Sequence, residues 1–81
     1  MHELAITEGI LETAIPEAEK AGAKKILSIR LKIGQYSGII DECVQYYFGE
    51  IAKGTIAEGA VIKTETIPNS WDCFVENIEV E

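Results

Sequence analysis

The chain of 81 residues is short enough for one small domain, and its net charge of −7 argues against the basic surface that a nucleic-acid-binding protein needs. Apolar residues make up 47% of the chain and charged residues 26%, as in ordinary globular proteins. Because no apolar run reaches the length of a membrane span and no leader-like segment opens the chain, we expect a cytoplasmic protein without membrane contact.

Residues 3–21 have the pattern of an amphipathic helix, with Gly22 as its stop signal. Pro16 lies inside this segment, where it removes a backbone donor and crowds the carbonyl of Glu12, so we expect a kink or a short break there. The residues expected to face the core are Leu4, Leu11, Ile15 and Ala18, flanked by Thr7, Ile10 and Ala14.

Residues 25–35 alternate between apolar and polar side chains, which predicts a strand with one buried face and one solvated face. Gly34 and Gly38 bracket the turn that follows it. The expected buried face comprises Leu27, Ile29, Leu31 and Ile33, and the solvated face comprises Ser28, Arg30 and Lys32.

Residues 41–53 predict a second helix, which Asp41 caps and Gly54 ends. Its expected core stripe is Val44, Tyr47, Phe48 and Ile51, with Ile40 just before it.

Residues 60–68 and 71–80 predict two further strands. The face shared within the last strand is Phe74, Ile78 and Val80, interrupted by Glu76.

The element order is therefore helix, strand, helix, strand, strand, within a single domain of residues 1–81. This order predicts an α/β (α+β) two-layer sandwich, with two helices on one face of a three-stranded mixed sheet. The first two strands are joined through a helix and should run parallel. The last two are joined tightly through Asn69 and Ser70 and should run antiparallel.

The first three residues, Met1, His2 and Glu3, offer a metal ion a set of nitrogen donors. A free α-amino group, backbone amide nitrogens and the His2 imidazole can close successive chelate rings, and the Glu3 amide nitrogen or carboxylate can supply a fourth donor. Planar nitrogen donation selects Ni(II) or Cu(II). Two plainer readings remain open at this point: an inert histidine, and a Glu3 carboxylate that stabilises the first helical turn.

The chain resembles the nickel-binding domain of the hydrogenase/urease nickel-insertion accessory proteins (HypA/HybF type). The resemblance is carried in order by MHELAITEGILE, EAEKAGAKKI, IRLKIGQYSGI and AKGTIAEGAVI, and then by DCFVENIEVE. It implies a cytoplasmic nickel metallochaperone, not an enzyme, for [NiFe]-hydrogenase or urease. By this similarity His2 is the essential ligand, Met1 contributes its amino terminus, and Glu3 is an adjacent contributor. The implied partners are the nickel-handling GTPase of the same pathway and the hydrogenase large-subunit precursor, and a homodimer is a further candidate.

The chain departs from that family at one place. The family carries a zinc module with two C-x-x-C pairs between the last two strands, but here only Asn69 and Ser70 separate Pro68 from Trp71. We therefore expect the zinc module to be absent and no structural zinc to be bound. Trp71, beside this junction, either caps the end of the sheet or belongs to an apolar surface patch.

No catalytic residues are predicted, because the sequence shows no serine–histidine pairing, no glycine-rich phosphate loop and no carboxylate dyad on facing positions, and it has one histidine. Cys43 and Cys73 are expected to be small buried or half-buried apolar residues. An alternative to nickel delivery stays open: a metal-independent protein–protein interaction or dimerisation module derived from the same family.

Overall fold

The computed structural model of the chain describes residues 3–81. In chain order the elements are α1 (Glu3–Lys20), β1 (Ile26–Gly34), α2 (Asp41–Ile51), β2 (Val61–Ile67) and β3 (Cys73–Val80). The strands form one mixed sheet in the order β2-β1-β3, in which β2 runs parallel to β1 and β3 antiparallel to it. The predicted fold class, element order and mixed sheet are confirmed.

The last two strands run in opposite directions, as predicted, but they are not hydrogen-bonded neighbours, because β1 lies between them. The segment that joins β2 to β3 crosses the end of β1, where the Gly34 N–H donates to the Asp72 carbonyl at 2.6 Å and the Tyr36 N–H donates to the Ser70 carbonyl at 2.8 Å. A Cβ on Gly34 would lie 2.5 Å from the Ser70 carbonyl oxygen. The missing side chain of Gly34 therefore makes room for this crossing.

Helix α1 is continuous through Pro16, so the expected break is not found there. The helix ends at Lys20. Gly22, the predicted stop signal, has a φ of 69°, and the Ala23 N–H donates to the Ala18 carbonyl at 3.0 Å. The buried face of α1 is centred on residues that the sequence placed at its flank, since Leu4 is 38% exposed and Ile15 is only half-buried. Its fully buried face comprises Thr7, Ile10, Leu11, Ala14 and Ala18.

Two irregularities in the pairing of β1 with β3 make some of the predicted inward and outward positions wrong. The pairing of β1 with β3 shifts between Ile26 and Ser28, so Ile26 enters the core and Leu27 is left 43% exposed. A second shift falls between Arg30 and Leu31, opposite Glu76 and Asn77. Beyond that bulge, Cys73 and Val75 face the core and Phe74 faces outward, whereas Ile78 packs inward as expected.

Helix α2 begins at Asp41, but Asp41 does not cap it. The N-cap is Ile40, in an extended conformation and without a side-chain cap, while the Asp41 carboxylate accepts a bond from the Gln45 amide at 3.3 Å. Val44 and Phe48 are buried as predicted, and Tyr47 and Ile51 are half-buried.

The core lies between the helices and the face of the sheet that carries Ile29, Leu31 and Ile33. Trp71 is 74% exposed, and its ring centroid lies 5.6 Å from that of Tyr36. Neither helix described for residues 3–81 combines the length and the apolar character needed to cross a bilayer.

Candidate metal site at the amino terminus

Of the three predicted ligand residues, the structure describes Glu3, and Met1 and His2 lie outside the described residues. Glu3 is the first residue of α1, where its carboxylate sits at the positive end of the helix dipole. Its backbone N–H belongs to the first turn, whose N–H groups have no acceptor within the helix. The nitrogen of Glu3 is therefore not committed to the helical hydrogen-bond ladder.

The Glu3 carboxylate is bound to the start of the other helix. Its Oε2 accepts a hydrogen bond from the Ile40 N–H at 3.2 Å, across 37 positions of the chain. In a capping box, an acidic residue in the third position of a helix reaches back to the N–H of its own N-cap. Here Glu3 of α1 does this for α2, whose own third residue is Cys43. The starts of the two helices are thereby held together.

Thr7 contacts the same turn of α1 from the side that faces the core. It is fully buried, and its hydroxyl donates to the Glu3 carbonyl at 2.6 Å. A buried hydroxyl that lacks a partner is costly, so this bond keeps Thr7 satisfied inside the core. The first turn of α1 therefore has one contact to α2 and one to the core.

Sequence reasoning did not find either contact of this turn. The Glu3–Ile40 bond joins residues that no local pattern relates, and Thr7 was placed only at the flank of the core stripe. A polar residue at a core-facing helical position was the one available signal for Thr7.

The described part of the chain shows no cluster of metal-binding side chains. Residues 3–81 contain no group of three or more His, Cys, Asp or Glu side chains arranged to hold a metal ion. Cys43 and Cys73 are free thiols on different elements, and burial raises the pKa of Cys73, which disfavours the thiolate that binds metals. Both thiols are half-buried, which lies within the prediction.

The sheet face away from the helices carries a paired set of charges, which we call the open face; its members are Arg30, Lys32, Lys63, Glu65, Glu76 and Glu79. The Lys32 Nζ lies 2.7 Å from Glu65 and 3.4 Å from Glu76, and the Lys63 Nζ lies 3.2 Å from Glu79. Because each carboxylate already has a cationic partner, the open face is a set of ion pairs and not a cation site.

These contacts shift the pKa values of three side chains on the open face, Lys32, Glu65 and Glu79. The Lys32 hydrogen bond lowers the pKa of Glu65, and that same bond raises the pKa of Lys32. The pKa of Glu79 is lowered chiefly by a hydrogen bond from the Ser28 hydroxyl and next by Lys63. All three groups therefore stay charged over a wider pH range than in a free peptide.

A groove of about 380 Å³ runs between α1 and the edge of β3. Small and apolar residues line it, namely Ala5, Ile6, Gly9, Ile10, Thr13, Cys73, Phe74 and Val75. None of these lining residues carries a carboxylate, an imidazole or a cationic group. The groove therefore offers no acid, base or cationic group.

Comparison with known proteins gives a consistent result. Residues 1–81 match the sequence model of a family described as hydrogenase/urease nickel incorporation, metallochaperone, HypA. The hydrogenase maturation factor HypA of Dehalococcoides mccartyi strain 195 is 41% identical over 73 residues, which cover 90% of this chain and 61% of the relative. The corresponding factor of Rhodobacter capsulatus is 37% identical over 84 residues, which cover all of this chain and 74% of the relative.

The fold also has solved counterparts. The solution structure of the Ni metallochaperone HypA from Helicobacter pylori superposes with a TM-score of 0.75 at 18% identity, covering 95% of this chain and 72% of that one. A second solution structure of a HypA protein gives a TM-score of 0.71. At this identity the likeness establishes the fold. The chain spans 61% of the length of the Dehalococcoides relative.

Proposed function

Because this chain belongs to the hydrogenase/urease nickel-incorporation family of metallochaperones, HypA, we propose that it binds Ni(II) at its own amino terminus and passes the ion on. The family consists of metal carriers and not of enzymes. The observation that carries the proposal is the family match over residues 1–81, which include Met1, His2 and Glu3. Those residues supply the nitrogen donors that suit Ni(II).

We propose four donors: the α-amino group of Met1, the amide nitrogen and imidazole of His2, and the amide nitrogen of Glu3. The choice of the amide nitrogen over the carboxylate of Glu3 is supported by the contacts of the first turn. The carboxylate is engaged with the Ile40 N–H, whereas the amide belongs to the uncommitted start of the helix.

The proposed destinations follow from the family and from the names of the relatives. Nickel would pass to the large-subunit precursor of a [NiFe]-hydrogenase, or to urease, with the nickel-handling GTPase of the pathway as a further partner. We place this activity in the cytoplasm.

We also propose that residues 1–81 fold as a single nickel-binding domain without structural zinc. Only four residues separate Pro68 from Cys73, and this short connection crosses β1. The family's zinc module would stand between Pro68 and Trp71. Two C-x-x-C pairs would be needed to build such a module, and the sequence has none.

The test is a titration of untagged protein with nickel, followed by calorimetry and by absorbance. We expect one equivalent of Ni(II) to bind and to give the yellow band of a planar nickel complex. His2→Ala removes the imidazole, and one glycine added before Met1 displaces the amino group while keeping every side chain. Both variants should lose the band.

A matched control is Glu42→Ala, which removes a carboxylate from the first turn of α2 and should leave the titration unchanged. Retention of the band by both amino-terminal variants would refute the proposed donor set. If the protein with the native start binds no nickel and still binds hydrogenase or GTPase partners, the metal-independent interaction module replaces this proposal.

A further inference from the structure

The two edges of the sheet differ in how they would meet a second copy of themselves. Strand β3 forms one edge, and residues 73–81 include Glu76, Glu79 and Glu81 but no basic residue. Two copies that met along β3 would bring like charges together, which disfavours edge-to-edge pairing. Strand β2 forms the other edge and carries both signs of charge.

The backbone of β2 directs a row of hydrogen-bonding groups to its outer side, away from β1. The Ile67 carbonyl accepts from the Gln35 N–H beyond the end of β1, so the odd-numbered residues of β2 bond inward. Alternate residues of a strand point their N–H and C=O groups to opposite sides, which leaves Ile62, Thr64 and Thr66 directed outward. Within residues 3–81, a side chain hydrogen-bonds only to the first of these, through the Gln45 amide to the Ile62 carbonyl at 2.9 Å.

The side chains of two β2 strands are complementary when the strands pair antiparallel with Thr64 of one copy opposite Thr64 of the other. In this register Lys63 of each copy lies opposite Glu65 of the other copy. Likewise, Val61 of each copy lies opposite Ile67 of the other. Val61 is 56% exposed, and Ile67 is half-buried. Cross-strand pairs of opposite charge and of apolar residues stabilise a sheet.

Charge also selects this register over its neighbours. Moving the centre of pairing to Lys63 would set two lysines face to face, and moving it to Glu65 would set two glutamates face to face. Like charges directly opposite one another destabilise a strand pair. The outward groups of Thr64 then form the central hydrogen-bonded pair.

We propose that a second copy of this chain pairs with β2 in antiparallel orientation, Thr64 opposite Thr64, to give a six-stranded sheet. The open faces of the two copies become continuous, and the Lys63–Glu65 contacts join two sets of ion pairs that exist within each chain. In each copy Glu65 keeps Lys32 at 2.7 Å and Lys63 keeps Glu79 at 3.2 Å. The pairing is independent of nickel.

The first test measures the mass of the metal-free, untagged protein by sedimentation equilibrium from micromolar to millimolar concentration. We expect reversible formation of a species with twice the chain mass of 8.9 kDa. Thr64→Pro removes the central outward N–H and fits the extended backbone of an edge strand, so it should abolish the dimer. Thr64→Ala keeps that N–H and should retain it.

The second test uses charge reversal and separates the interface from folding. Lys63→Glu and Glu65→Lys each create two like-charged contacts, so each variant alone should dimerise at least tenfold more weakly. When the two variants are mixed, every cross-strand contact is again between opposite charges, and a heterodimer of near wild-type affinity should form. A monomeric wild type, a dimeric Thr64→Pro protein or a mixture that stays monomeric would each overturn the proposal.

Discussion

Glu3 contributes two separate groups, a backbone nitrogen to the proposed nickel site and a carboxylate to the contact with Ile40. We expect Glu3→Ala to lower the free energy of unfolding by about 1 kcal/mol, because it removes a hydrogen bond to a charged acceptor and a favourable charge at the start of α1. Glu3→Gln keeps an oxygen that can accept from Ile40 and should cost less. Urea denaturation measures both.

The same two variants test the assignment of donors. If the amide nitrogen of Glu3 is the fourth donor, both should bind one nickel with the planar band unchanged. Loss of the band in Glu3→Gln would show that the carboxylate is a ligand. His2→Ala is the reverse control, since it should lose nickel with little change in stability.

Gly34 is the residue whose missing side chain determines the path of the chain between β2 and β3. We expect Gly34→Ala to destabilise the fold by about 1–3 kcal/mol, because its Cβ would meet backbone oxygens of Ser70 and Asp72 that cannot simply rotate away. Gly49→Ala is the matched control. Gly49 lies in α2 and has open space for 4 Å around the point where an alanine Cβ would lie, so alanine there should stabilise the helix by about 0.5–1 kcal/mol. Equal effects of the two substitutions in urea denaturation would contradict this account.

At the scale of the elements, the ion pairs of the open face predict how stability depends on pH. The folded-state pKa values of Glu65 and Glu79 are lowered below the ordinary 4.5, so their contribution is present above that value and is lost as the pH falls through the lower folded values. Lys32 has a folded pKa raised above 10.5, so its contribution is present below that value and is lost as the pH rises through the higher one.

We therefore expect the melting temperature to fall on acidification below about pH 4.5 and again in strong alkali. Glu79→Gln should make the fall in melting temperature below about pH 4.5 (the acid limb) less steep, because the glutamine does not titrate. Glu12→Gln, on the exposed side of α1, should leave that limb as in the wild type. An acid limb that is identical in the wild type and in Glu79→Gln would show that these pairs do not act on stability.

Element identity was predictable from the sequence because the hydrophobic periods of 3.6 and 2 are local. The predicted first helix of residues 3–21 compares with Glu3–Lys20, and the predicted second helix of residues 41–53 with Asp41–Ile51. Which side chains of a strand face the core was less predictable. A period of 2 assumes a regular ladder, and the bulges beside Leu27 and Glu76 exchange inward and outward positions.

At the scale of the whole molecule, strand order depended on contacts that no local pattern contains. The placement of β1 between β2 and β3 requires the crossing at Gly34, and the link between the helix starts requires Glu3 to reach Ile40. The candidate ligands, in contrast, are consecutive in sequence. A site built from adjacent residues can be proposed without knowing the fold, whereas its attachment to the fold cannot.

The whole domain is expected to fold without a structural metal. Its core is a single cluster of apolar side chains around Ile29, Leu31, Val44 and Phe48, and we propose that the zinc module is missing. The melting temperature in a chelator such as EDTA should therefore match that of the untreated protein, and purified protein should contain no stoichiometric zinc. A large drop in melting temperature on chelation would show that a metal contributes folding free energy.

Nickel itself is expected to bind without stabilising the fold. A ligand that binds only the folded state at a concentration of one hundred times Kd adds about 2.7 kcal/mol, which would raise the melting temperature of a domain of this size by roughly 10 °C or more. All four proposed donors belong to the consecutive residues Met1, His2 and Glu3, so the unfolded chain can bind the ion as well as the folded chain does. Binding to both states leaves the free energy of unfolding unchanged. We therefore expect saturating nickel to leave the melting temperature nearly unchanged in calorimetry, although the planar band shows the site to be full. A rise of many degrees would mean that a residue distant in sequence, brought near by the packing of α1 on α2, also holds the ion.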